Sequence, residues 1–198
     1  MKNYNTTNKS LIIIMVALKH EAHALIQAYD LILRQHQPYK VYQKNNMILV
    51  ISGVGFENMT SACHFIAKQQ SQPIRWINFG IAGHSDHPVG QLCKITKVYQ
   101  PKHSLCWQWT TNQDQEILYS QNKIETDYIK TGSYDMEAAS FVATTLDYSP
   151  LEKINIYKII SDNPQQHHKQ INAKKIKQLI TNQLNALRIL INYDGNQQ

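Results

Sequence analysis

Two acids bracket a methionine in the stretch SYDMEAASF (133–141), and the residues that follow are small or apolar: Ala138, Ala139, Ser140, Phe141, Val142, Ala143. Acids in a helix's first turn complement its dipole, and Ser133 or Asp135 has the side chain of an N-cap. That accounts well for one acid and adequately for both. A carboxylate at the mouth of a buried helix also accepts hydrogen bonds from a ligand's hydroxyls. Similar residues recur where apolar runs end. Glu21 follows LIIIMVAL (11–18), and KINIYKIISD (153–162) closes on Ser161 and Asp162, with Asn163 next. Glycine turns close NMILVISGVG at Gly53 and Gly55, and IRWINFGIAG at Gly80, Ala82 and Gly83. Neither turn is a GxGxxG or a P-loop, so neither alone specifies a phosphate ligand.

The elements that must position these residues follow from hydrophobic periodicity. Residues 11–18 predict a buried strand. Residues 21–33 predict a helix, from the spacing of Ala24, Leu25, Ala28, Leu31 and Leu33. Strands are expected at 46–55, 74–83, 90–101 and 153–162, and helices at 57–69, from Asp135 through the DMEAAS run, and over the C-terminal NAKKIKQLITNQLNALRILI. Residues 102–133 show no clear period and read as loop-rich. Strands alternating with helices predict a three-layer α/β/α fold with a mixed, mostly parallel sheet, in one domain over residues 1–198. In such sheets ligands bind beyond the carboxyl ends of the strands. Glu21, both glycine turns and Ser161-Asp162-Asn163 all fall there.

Composition narrows the function classes. With 42% hydrophobic and 17% charged residues the chain is globular. Its formal charge of +6 invites a nucleic-acid reading. The basic residues are dispersed, however, and the densest cluster, NAKKIKQL, reads as a solvated helix face rather than a nucleic-acid patch. Three cysteines without CxxC spacing argue against a disulfide framework and for a reducing compartment. The N-terminal segment imitates a signal peptide, but its apolar run stops at Lys19-His20-Glu21, ahead of the AHA that would mark cleavage. A buried strand explains it better, and no run approaches the roughly 18 apolar residues of a membrane span. A cytoplasmic protein is expected.

Several side chains have competing readings. HEAH (20–23) is one residue short of the zincin HExxH, and with no third ligand evident no metal is expected. His167 and His168 are read as a solvated loop pair, with contact to a ligand as the alternative. Cys63 is read as a small buried hydrophobe. Trp107 and Trp109 are read as packing residues, with stacking on a base as the alternative.

The ordered series of apolar strand with A-x-x-x-E, SGVG, NFGIAG, VG and a strand, DMEAAS, and KIISDN resembles the purine nucleoside phosphorylase and nucleosidase superfamily. It is most similar to the short 5′-methylthioadenosine/S-adenosylhomocysteine nucleosidases, over about residues 11–190. The resemblance implies that Glu137 hydrogen-bonds ribose hydroxyls, with Met136 against the sugar. It implies that Asp162, positioned by Ser161, protonates or hydrogen-bonds the purine at N7, and that Glu21 orients an attacking water. The glycine turns and Asn163 would complete the substrate contacts. The partner implied is a small nucleoside, with no cofactor and no membrane, and a homo-oligomer, a dimer being favoured. The phosphorylases hold phosphate with arginines, one just before the second glycine turn. That position here is Asn78, and the first strand's turn offers only Lys19 and His20. A hydrolase is therefore favoured over a phosphate-dependent phosphorylase, and a catalytically inactive nucleoside-binding protein stands as a further alternative. The chain is also short between Gly90 and Asp135, where the family carries the residues that stack on the base.

Overall fold

The long apolar runs become the centre of one sheet. A computed structural model describes residues 10–109 and 115–196. In chain order the elements are β1 (Leu11–Val16), α1 (Lys19–Ala28), β2 (Ile32–Gln35), β3 (Lys40–Lys44), β4 (Met47–Ile51), α2 (Phe56–Ala67), β5 (Ile74–His84) and β6 (Leu92–Lys94). They continue with β7 (Lys97–Gln100), β8 (Leu105–Gln108), β9 (Ile117–Ser120), β10 (Ser133–Asp135), α3 (Ala138–Thr145), β11 (Ile154–Asp162) and α4 (Ala173–Asn196). The strand order is β2-β3-β4-β1-β5-β10-β9-β7-β8, with β11 pairing β5 and β6. The longest ladder, β5 with β11, is parallel, as are β1 with β4 and β1 with β5. Antiparallel pairs extend the sheet through β2 and β3 and through β8. This is the mixed α/β fold expected.

β-strand alternation sends successive side chains to opposite faces, and a strand buried on both sides must be apolar throughout. Leu11, Ile13 and Met15 of β1 enter one core with α2 and α3, whereas Ile14 and Val16 enter a second core with α1 and α4. Hence three layers. Trp76 and Phe141 are fully buried in the first core, rings edge-on at 6.4 Å. Each such side chain contributes about 1.5–3 kcal/mol of burial.

Four boundaries differ from the sequence expectation. The first helix stops at Ala28, Asp30 turns the chain at φ +49°, and Ile32 and Leu33 start β2. Leu31 and Leu33 fit a period of two as well as a helical one, and pairing with β3 decides between them. The run 90–101 is two strands, because β6 pairs with β11 while β7 pairs with β9. Residues 102–133, expected to be loop-rich, contain β8 and β9. Finally, α3 begins at Ala138, not at Asp135, which ends β10.

Candidate active site

Glu21, Glu137 and Asp162 come together from three separated segments, each at a strand's carboxyl end. Glu21 lies in the first turn of α1, where its Oε2 accepts the Leu18 N–H at 2.7 Å. Its Oε1 accepts the Ile81 N–H of β5 at 2.9 Å. Two backbone donors thus orient a carboxylate that is 2% exposed. The close approach needs Gly80: a Cβ there would stand 2.7 Å from Glu21 Oε1. Glu137 directly precedes α3, and its Oε1 accepts the Gly55 N–H at 2.8 Å. Gly55, at φ +95°, begins α2, a conformation that glycine adopts without strain. The first glycine turn therefore holds Glu137 through its backbone.

Asp135 and Lys158 join this group. Lys158 sits on β11, 2% exposed, with its Nζ 2.8 Å from Asp135 Oδ2. Asp135 also accepts the Ala138 N–H at 3.0 Å and the Ser120 hydroxyl at 2.7 Å. It does serve the start of the helix, as its dipole argument suggested, and it also anchors a buried cation. Sequence reasoning missed Lys158. The available signal was a lone charge inside the apolar run INIYKIIS, since a lysine is fully buried only with a partner.

Charge balance then decides how these groups ionise. Burial works against the Lys158 ammonium, but Asp135 and Glu137 hold its pKa above the ordinary value. Burial also pushes Glu137 up to about 7, and Asp135 and Glu21 add to that, against Lys158 and the Gly55 N–H. Burial raises Glu21 too, outweighing its backbone hydrogen bonds. The Asp135–Lys158 pair is neutral, so Glu21 and Glu137 have no cation left to balance them. Arg75 of β5, also buried, donates instead to the Ile191 carbonyl.

Asp162 ends β11. A register shift between Ile160 and Asp162 sets it opposite Gly83 of β5, so a bulge at Ser161 aims the carboxyl. Ser161 Oγ donates to Asp162 Oδ1, and the Tyr128 hydroxyl donates to Oδ2. All three acids line one cavity of about 230 Å³, with Ala82, Gly83, Met136 and Ser161. Its outer wall comes from the segment read as a loop: Lys123, Ile124, Glu125 and Tyr128, with Tyr134 and His168. Gly53, Gly55, Gly80 and Asn163 do not line it. Gly55 and Gly80 stand behind the acids, and Asn163 Oδ1 accepts the Gln165 and Gln166 N–H groups to shape the turn after β11. His20, His23 and His167 are exposed. Cys63 is fully buried in α2. Trp109 donates its indole N–H to Leu151 and Ile154 carbonyls, and Trp107 packs with it against the core.

Beyond Gly83, ligating atoms of His84, His87 and Glu116 lie within 4.8 Å of one another. His84 Nδ1 accepts two backbone N–H groups, from Asp86 at 2.9 Å and His87 at 2.8 Å. The ring proton is therefore on Nε2, which faces Glu116 Oε1 at 3.3 Å. A cation bound at Nε2 would need the proton on Nδ1, against two donors, so the group is built as a hydrogen-bonded clasp. Burial raises the Glu116 pKa, but His84, His87 and Ser133 outweigh it and hold the carboxyl below its usual value. A depressed folded value stabilises above the unfolded pKa and is lost as pH falls through the folded one. Glu116→Gln is expected to cost about 1–3 kcal/mol at pH 7. Thermal melts should show that gap closing on acidification below the ordinary value of 4.5.

No family model and no curated protein sequence matches the chain. Solved structures do. The Arabidopsis thaliana 5′-methylthioadenosine nucleosidase superimposes with a TM-score of 0.74 at 15% identity, over 93% of this chain and 96% of that one. A Helicobacter pylori 5′-methylthioadenosine/S-adenosylhomocysteine nucleosidase gives 0.73 at 13%, over 94% and 99%. The futalosine hydrolase of the same organism gives 0.72 at 12%, over 93% and 98%. The chain has the fold of these nucleosidases.

Proposed function

We propose that the protein is an N-ribosyl hydrolase, cleaving the N-glycosidic bond of a purine nucleoside or thionucleoside with water as the nucleophile. One observation carries this reading: buried carboxylates in a single cavity outnumber the cations that could neutralise them. Breaking an N-glycosidic bond builds positive charge on the sugar and negative charge on the base, as in the oxocarbenium-like transition states of glycosidases. A desolvated cavity lined by Glu21, Asp135, Glu137 and Asp162 is complementary to that sugar cation. Glu137 accepts the ribose hydroxyls. Glu21, oriented by Leu18 and Ile81, accepts the proton of the attacking water. On the far side Asp162 supplies a proton to the departing base, and the bond's electron pair leaves with it.

The same charge balance disfavours phosphate as the nucleophile. Five acids line the cavity and Lys123 is its one lysine among the described residues. Lys19 and His20 are exposed, outside the lining, and buried Asn78 stands at the phosphorylases' arginine position. The fold likeness to nucleosidases supports the reading.

Ribose recognition by Glu137 tests it. Wild-type protein is expected to release base faster from ribonucleosides than from 2′-deoxynucleosides. In Glu137→Gln that discrimination should fall about tenfold or more, the equivalent of one charge-assisted hydrogen bond. Equal discrimination before and after the substitution counts against the assignment.

A further inference from the structure

We propose that Tyr128 is a further catalytic residue: its hydroxyl hands the proton of Asp162 to the leaving base. The inference rests on the nucleosidase reading and adds to it a group from outside the strand ends. Both oxygens of Asp162 are engaged by hydroxyls, Oδ1 by Ser161 and Oδ2 by Tyr128. Ser161 has a second acceptor, the Ala82 carbonyl at 3.2 Å, and can turn away. Tyr128 is held in place. It is 7% exposed, its ring meets Tyr134 edge-on at 5.6 Å, and it sits against Gly83, where a Cβ would stand 2.8 Å from the phenol oxygen.

The backbone supports the same role. Tyr128 has φ +47°, a left-handed conformation that is uncommon for a bulky residue and costs about 1–3 kcal/mol. Hydrogen bonds on either side keep it there. Glu125 Oε1 accepts the Thr126 and Asp127 N–H groups, while the Tyr134 hydroxyl bonds both the N–H and the carbonyl of Lys130. The loop thus holds a strained residue so that its phenol meets the acid inside the cavity.

The proton step balances as a relay. As the C–N bond breaks and its electron pair leaves with the base, a ring nitrogen takes the Tyr128 proton. For this step Asp162 is protonated on Oδ2, and the phenol hydrogen is turned about its C–O bond from Oδ2 to the base. The phenol oxygen thus takes the Asp162 proton in the same movement, and Asp162 ends ionised. Glu21 takes the proton of the water that adds to the sugar, and exchange with solvent returns the acids to their starting state. Burial and the hydrogen bond to Asp162 hold the phenol above its ordinary pKa, so Tyr128 transmits a proton and does not ionise itself.

Leaving-group dependence tests this. Purified wild type, Tyr128→Phe and Asp162→Asn would be assayed on a purine ribonucleoside and on 4-nitrophenyl ribofuranoside, whose leaving group needs no acid. Tyr128→Phe is expected to lose about 10²–10⁴-fold on the nucleoside and less than about tenfold on the nitrophenyl compound, as Asp162→Asn does. Equal losses on both would make Tyr128 structural and overturn the relay. Unchanged or faster nucleoside cleavage would also overturn it, the latter marking the phenol as an obstruction over Asp162. Should Tyr128→Phe fail to fold, 3,5-difluorotyrosine at 128 keeps the shape and makes the phenol more acidic. An alkaline loss of activity at lower pH than in wild type is then expected, and an unshifted profile overturns the relay. A wild type that cleaves the nitrophenyl compound but no purine nucleoside removes the relay. One that cleaves neither removes the nucleosidase reading itself.

Discussion

Replacing Asp162 by asparagine is expected to lower the rate of base release by about 10²–10⁴-fold while leaving nucleoside affinity nearly unchanged. The argument is steric as well as chemical. Asparagine keeps the volume of the side chain and an oxygen to accept the Tyr128 hydroxyl, so the cavity keeps its shape. It cannot supply a proton, and the base must then leave as an anion inside a cavity already rich in carboxylates. The cost falls on the transition state and not on ground-state binding, so it appears in kcat with little change in Kd. Single-turnover base release and calorimetric titration of the same preparation separate the two quantities. Wild-type turnover in the variant would remove Asp162 from the reaction.

The second large effect concerns stability. Lys158→Met is expected to cost about 3–5 kcal/mol, because removing one partner of a buried ion pair leaves the other uncompensated. Asp135 would keep the Ala138 N–H and the Ser120 hydroxyl, but not the ammonium at 2.8 Å. For a chain of this size each kcal/mol moves Tm by about 2–4 °C. The double variant Lys158→Met/Asp135→Asn should recover much of the loss, since the stranded charge goes too. Urea unfolding of the two single variants and the double gives the coupling. Simple additivity would show that the pair does not act as a unit. Lys158 also lowers the pKa of Glu137, which burial and Asp135 raise to about 7. Without the ammonium, Glu137 should ionise at higher pH, and the acid side of the pH–rate profile should move the same way.

The strand-end acids were legible in the sequence because long apolar runs such as LIIIMV and INIYKIIS can only be central strands. Once those are placed, Glu21 and Asp162 fall at their carboxyl ends by the geometry of a parallel sheet. Glu137 was legible from the same logic applied to a buried helix. The outer wall was not. Lys123, Glu125 and Tyr128 lie in a segment whose shape comes from bonds such as Lys130 to Tyr134 and Gln121 to Glu125, which leave no period behind. The strands β2 and β3 were hidden for a different reason. At the sheet's edge ILRQ alternates between exposed and partly buried positions, and in the next strand KVYQK buries only Val41, so few apolar residues mark them. Lys158 escaped because a sequence shows the charge but not the acid facing it.

Chromatographic detection of free base tests the central claim most directly. The protein would be incubated with adenosine, inosine, guanosine, 5′-methylthioadenosine and S-adenosylhomocysteine, each with and without phosphate. The account predicts release of the purine from at least one of them at a rate independent of phosphate. Release only in the presence of phosphate, or from none of the five by folded protein, would contradict it.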